Sequence, residues 1–254
     1  MCVVVYYAQE EIKGGKRPII YAGGSRSCAP PAGGKDDPPM KKTLYSLMLS
    51  EEVVREVDAL AHRMGTNRSS LINQILAEYV NYTTPERRIN DILSAIEQIM
   101  IPSRELVPFF APNTFSMSLK SSLEYKYRPT VKYEVELYRG GEGAIGELAV
   151  IFRTQSAALI TVMTEFFRLW KRIEDAYLAP LTGQPPAFAL YDGRFTRSLN
   201  MPERDCTADE LAGAISDYIK FFDRMMKDYI SGRLSARDVE NAYRSKLSAA
   251  SIHI

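Results

Sequence analysis

The sequence predicts an α+β protein: a short strand, helix, turn and helix near the N-terminus, then a distal, mostly helical domain that carries a β-hairpin. Two observations predict it. After Met40 the text changes from glycine- and proline-rich to periodic, and apolar residues then recur every three or four positions in a series of capped segments, as one face of a helix requires. Near residue 130 the period switches to two, the mark of a half-buried strand.

Residues 1–40, which include YAGGSRSCAPPAGGKDDPPM, show no helical or strand period and read as an unfolded tail, with Met40 as an alternative start of translation. KKTLYSLMLS has the length and alternation of a strand. Ser50 then reads as an N-cap, with Glu51 and Glu52 in the first turn where the helix dipole favours acids. Val53, Val57, Leu60, Ala61 and Met64 fall on one face, and Gly65 stands where a left-handed C-terminal residue ends a helix. Asn67 caps a second helix whose face is Leu71, Ile72, Ile75, Leu76, Tyr79 and Val80. Thr84 followed by Pro85 announces a third helix over 84–100, with Ile89, Ile92, Leu93, Ile96, Ile99 and Met100 on one side. Residues 101–128 read as an irregular connector.

Residues 129–254 read as an α+β effector or oligomerisation domain. TVKYEVELYR alternates as a strand, GGEGAIG is turn chemistry, and ELAVIFR returns as the second strand of a hairpin. A helix from Thr154 to Tyr177 carries two apolar stripes, so burial on both sides or sharing with a partner is expected. One short strand is expected between Phe188 and Leu199. Thr207 with Glu210, and Ser235 with Asp238, have the spacing of capping boxes that open two further helices.

Composition bounds the function. The chain has 254 residues, 46% hydrophobic and 25% charged, with 32 Lys and Arg against 31 Asp and Glu, which excludes a disordered or collagen-like chain. Neutrality argues against indiscriminate coating of nucleic acid. Three scattered cysteines and two histidines exclude a disulfide framework and disfavour zinc. No apolar run reaches the roughly 20 residues that cross a bilayer, so a reducing cytoplasm is the expected compartment and no membrane is an expected partner.

Residues 41–80 resemble the ribbon-helix-helix family of bacterial DNA-binding proteins (Arc, MetJ and CopG type). The resemblance rests on strand TLYSLML, the Ser50 cap, helix EEVVREVDALAHRMG and the turn Gly65-Thr66-Asn67-Arg68-Ser69-Ser70-Leu71-Ile72. It implies an N-terminal ribbon-helix-helix dimerisation and DNA-binding module, a homodimer, and double-stranded DNA as partner, with dimers paired on adjacent half-sites. The physical logic is that one strand cannot satisfy its own ladder and two short helices cannot enclose a core. Two chains together make an antiparallel ribbon that fits the major groove.

Alternation within the module turns Tyr45, Leu47 and Leu49 toward the helices and Lys42, Leu44, Ser46 and Met48 toward the bases. The family favours polar residues at those outward positions; Leu44 and Met48 are suited to thymine methyl groups or to a protein contact. Lys41, Asn67, Arg68 and Ser69 are the expected phosphate ligands, the last three at a helix N-terminus. The module's five basic and five acidic residues cancel, so modest, salt-sensitive affinity is expected.

The expected function is that of a dimeric, sequence-selective transcriptional regulator, most simply a repressor, located at the nucleoid. The alternatives are plasmid or mobile-element maintenance, and a dimeric interaction module that has lost DNA binding. Gly141-Glu142-Gly143-Ala144-Ile145-Gly146 matches a nucleotide-binding fingerprint literally but precedes strand-like text, so it reads as a hairpin loop. His62 reads as a structural histidine, and Glu174 with Asp175 as ordinary helix-end charges. The stripe Tyr218, Phe222 and Tyr229 reads as core, with a ligand pocket against the Trp170 helix as the alternative. No nucleophile elbow, Walker loop or zinc-protease string occurs. No enzymatic activity, cofactor or metal is therefore expected, and the distal domain's effector is left open.

Overall fold

The computed structural model describes residues 46–103, 105–109, 115–125, 128–140, 143–191 and 193–254. The predicted tail, residues 1–40, lies outside them. Among the described residues the elements run α1 (Glu51–Arg63), α2 (Arg68–Tyr79), α3 (Pro85–Met100), β1 (Val107–Phe109), β2 (Ser116–Ser122), β3 (Thr130–Leu137) and β4 (Ala144–Phe152). There follow α4 (Ala157–Tyr177), the single turn α5 (Ala179–Thr182), β5 (Phe188–Tyr191), β6 (Arg194–Asn200), α6 (Ala208–Ile230) and α7 (Ala236–Ala249). The fold is mixed α+β.

The six strands form one antiparallel sheet in the order β1-β2-β3-β4-β6-β5. The expected hairpin is present as β3 and β4, in register from Val131 opposite Phe152 to Leu137 opposite Gly146. It is the centre of a larger sheet rather than a lone ribbon. At Gly146 a Cβ would stand 2.2 Å from the Glu136 carbonyl oxygen, so the close approach at this end of the hairpin admits only glycine.

Residues 101–128, expected as a connector, contain β1 and β2. Met117 pairs with Val135 and Leu119 with Tyr133; the intervening serines give SMSLKSS little strand propensity of its own, and pairing with the β3 edge decides its conformation. The single strand expected between Phe188 and Leu199 is two, β5 and β6, turned back at Gly193.

The third helix, expected as an extra helix over 84–100, is present and packs in the distal core. Ile89, Ile92, Leu93, Ile96 and Met100 of α3 are buried in one continuous apolar cluster with Val131, Tyr133, Val150, Phe166, Trp170, Phe195, Ile219 and Phe222. Lys220 Nζ donates to the Ile99 carbonyl at 3.2 Å and Arg88 Nη2 to that of Cys206 at 3.0 Å. Both apolar stripes of α4 are covered, Phe166 and Leu169 as well as Phe167 and Trp170, which is the two-sided burial the sequence predicts. Both capping boxes form, Thr207 with Glu210 and Ser235 with Asp238. Among the described residues no helix is long and apolar enough to cross a membrane, and no group of three His, Cys, Asp or Glu side chains is placed to hold a metal ion.

Candidate nucleic-acid interface

The cluster that joins α3 to α7 contains no residue of α1 or α2. Those two helices pack on each other around Ala61, Leu71 and Ala77. Ser50 takes the N-cap position of α1 with extended backbone, φ −68° and ψ 151°, although its hydroxyl accepts no capping bond. At the other end Gly65 has φ 64°, a left-handed conformation that glycine adopts without a Cβ penalty. The Thr66 N–H reaches back to the Ala61 carbonyl at 2.9 Å and the Gly65 N–H to that of His62 at 3.2 Å. That pair of bonds is a Schellman closure, and it turns the chain directly into α2.

Asn67 caps α2: its Oδ1 accepts from the Ser70 N–H at 2.9 Å. The first turn of α2 has no acidic residue of its own to meet its positive dipole end. Asn67, Arg68 and Ser69 are exposed together there, and the structure brings these three expected phosphate ligands to one place.

Arg68 is already engaged. Its Nε donates to Asp58 Oδ1 at 2.6 Å and its Nη2 to Oδ2, a two-pronged pair that ties α1 to α2. The hydrogen bonds from Arg68 hold the Asp58 carboxyl below the usual carboxylate range. Both side chains are about half exposed, 53% and 45%, and surface pairs of this kind exchange readily for a stronger partner.

Ser46 and Met48, expected to face bases, lie in an exposed stretch without ladder partners among the described residues, and so do Leu47 and Leu49, expected to face inward. Lys41, Lys42 and Leu44 lie outside the described residues. Residues 46–50, the described part of the expected strand, have no regular secondary structure in the single chain, and the apolar faces of the two helices are equally bare: Val53 is 48% exposed, Met64 55%, Ile75 45%, Leu76 51%, Tyr79 87% and Val80 67%. These are residues that helical spacing assigns to a core.

Sequence reasoning missed two polar groups. Asp58 lies ten positions before its partner Arg68, and only the turn between the helices brings them together. Glu174, read as a helix-end surface charge, is fully buried and ion-paired with Arg197, whose Nε donates to Oε2 at 2.8 Å. A signal was present: Glu174 follows Trp170 by four positions on the apolar stripe of α4, and alternation puts Arg197 on the same side of β6 as Phe195 and Leu199. The G-x-G-x-x-G string leads into β4 rather than a helix, so it offers no helix N-terminus to a phosphate. Comparison with protein-family models, with curated proteins and with solved structures finds no match to this chain.

Proposed function

We propose that residues 41–80 form a ribbon-helix-helix module, that two chains dimerise through it, and that the paired strands enter the major groove of double-stranded DNA. One observation carries the reading: the helix faces that spacing marks as core, with Ile75, Leu76, Tyr79 and Val80 at their centre, are exposed in the single chain. A second copy placed on them completes a core that one chain lacks, since two helices of 13 and 12 residues bury too little alone. The segment before α1, which has no regular structure over 46–50 in the single chain, becomes a strand and gains its ladder in the same step.

In this arrangement Asn67, Ser69 and the first N–H groups of α2 hold a backbone phosphate, and Ser46 and Met48 face base edges, Met48 against thymine methyl groups. The protein acts as a transcriptional regulator, as a repressor in its simplest form, through two short ribbons on neighbouring half-sites. The same module serves plasmid or mobile-element maintenance, which differs in the genomic position of the bound site rather than in its physics.

Light scattering and gel retardation of genomic fragments test this together. The intact protein is expected to be dimeric and to retard DNA with affinity that falls steeply between about 50 and 200 mM salt. Leu76→Glu, placed on an exposed residue so that the single chain tolerates it, is expected to give monomers and to abolish retardation. Ser46→Ala with Asn67→Ala leaves the dimer intact and weakens binding. A dimeric protein that ignores DNA at about 50 mM salt overturns the DNA reading and leaves the exposed segment around Met48 as a protein-contact surface.

A further inference from the structure

A cavity of about 340 Å³ opens between α6, α7 and the segment 250–254, a volume within the range of small-molecule sites. Its floor is a buried polar lattice. Arg197 and Glu174 are fully buried; Tyr218 donates to Glu174 Oε1 at 2.9 Å and Tyr243 to the same atom at 3.3 Å, while Trp170 Nε1 donates to the Tyr218 hydroxyl at 2.9 Å. Each of these side chains is fixed by another, so the floor is rigid before any ligand arrives.

Two features of the walls have no account in the packing. Gly213 lies inside α6, where glycine is unfavourable, yet a Cβ there would meet nothing within 4 Å. Its missing side chain keeps the cavity open and serves no contact in the fold. His253, on the opposite wall, buries Nδ1 with no partner among the described residues, and such atoms in native proteins call for an explanation.

The charges decide what kind of ligand fits. The carboxylates around the cavity are each matched by a cation: Glu174 takes Arg197 and both tyrosines, Glu210 takes Arg204 at 2.8 Å and the Thr207 N–H at 2.9 Å, and Asp217 takes Lys246, though only at 3.4 Å. Donor capacity remains at Lys246, which reaches Asp217 only at 3.4 Å, and the unmet His253 Nδ1 donates to a ligand in its Nδ1–H tautomer. Phe221, Leu247 and Ile252 supply apolar wall.

We propose that this cavity is a binding site for a small carboxylate with an apolar body, its head on Lys246 and His253 and its body against Phe221 and Leu247. The site stands independently of DNA binding and supplies the distal domain with an effector function.

Trp170 is the only tryptophan of the chain and touches the floor through Tyr218, so its fluorescence reports occupancy. Titration of the intact protein with phenylacetate is expected to change that fluorescence saturably and to raise Tm, whereas phenylacetamide, of the same shape without the charge, binds about tenfold more weakly or worse. Gly213→Leu fills the cavity and is expected to abolish the response with Tm held or raised; Ala214→Met does the same from the next position should the first variant misfold. Lys246→Gln brings phenylacetate down to the affinity of the amide. The proposal is overturned by an absent saturable response up to about 10 mM, by equal binding of acid and amide, or by an unchanged response in a folded cavity-filled variant.

Discussion

Two residue pairs show how the same chemistry serves opposite ends. Asp58 and Arg68 meet at the surface, where water and salt screen them and the pair contributes little to stability. If the proposed DNA contact is made at the start of α2, Asp58 competes with phosphate for Arg68. Asp58→Asn is expected to strengthen DNA binding and to steepen the log K against log salt slope by about 0.9 for each newly engaged phosphate, with dimerisation unchanged; an unaltered slope in retardation assays rejects the competition. Glu174 and Arg197 are buried, and there removal of one partner leaves an uncompensated charge. Glu174→Ala is expected to cost about 3–5 kcal/mol in urea unfolding, and Glu174→Leu with Arg197→Met to recover most of it. A loss carried equally by the double variant would place the value of the pair in shape rather than charge.

At the scale of elements, helix starts are the most legible feature of this chain. Ser or Thr followed three positions later by Glu or Asp opens α6 and α7, and Thr84 with Pro85 opens α3. Each start is a local bargain between a side chain and free N–H groups, which neighbouring residues suffice to settle. The box at α6 also has a pH signature. The Glu210 carboxyl, hydrogen-bonded by Arg204 and by the Thr207 backbone, is pushed down to about 2, below its unfolded value of about 4.3. A lowered carboxylate stabilises the fold above the unfolded value and loses that contribution as pH falls toward 2. Protection of the amides at the start of α6, taken relative to their intrinsic exchange rates, is therefore expected to fall between about pH 4 and pH 2, and Thr207→Ala, costing about 1 kcal/mol, to lower it at neutral pH. The strands β1 and β2 are the contrary case. Their serines carry no strong period, so what makes them strands is the free edge of β3, a partner that only the folded chain provides.

For the whole molecule, the decisive fact is that the apolar cluster spanning α3 to α7 excludes α1 and α2. A pair of helices with its own incomplete core and a sheet-based domain with a complete one need not unfold together. Calorimetry is expected to show two transitions, the lower one rising with protein concentration, because the proposed dimer completes its core, and the upper one independent of it. A single transition at every concentration would join the two parts into one cooperative unit.

The sequence by itself determined the helices, their caps, the turn at Gly65 and the central hairpin, because these depend on periodicity and on contacts a few residues apart. It also marked which faces of α1 and α2 are apolar. Only the tertiary structure decided that α3 joins the distal core, that six strands rather than a hairpin make the sheet, that Asp58 holds Arg68, and that Glu174 and Arg197 meet under a cavity. Each of those facts pairs groups far apart in the chain, and the free energy that selects such pairs, burial and hydrogen bonding against chain entropy, belongs to the assembled fold and to no short stretch of text.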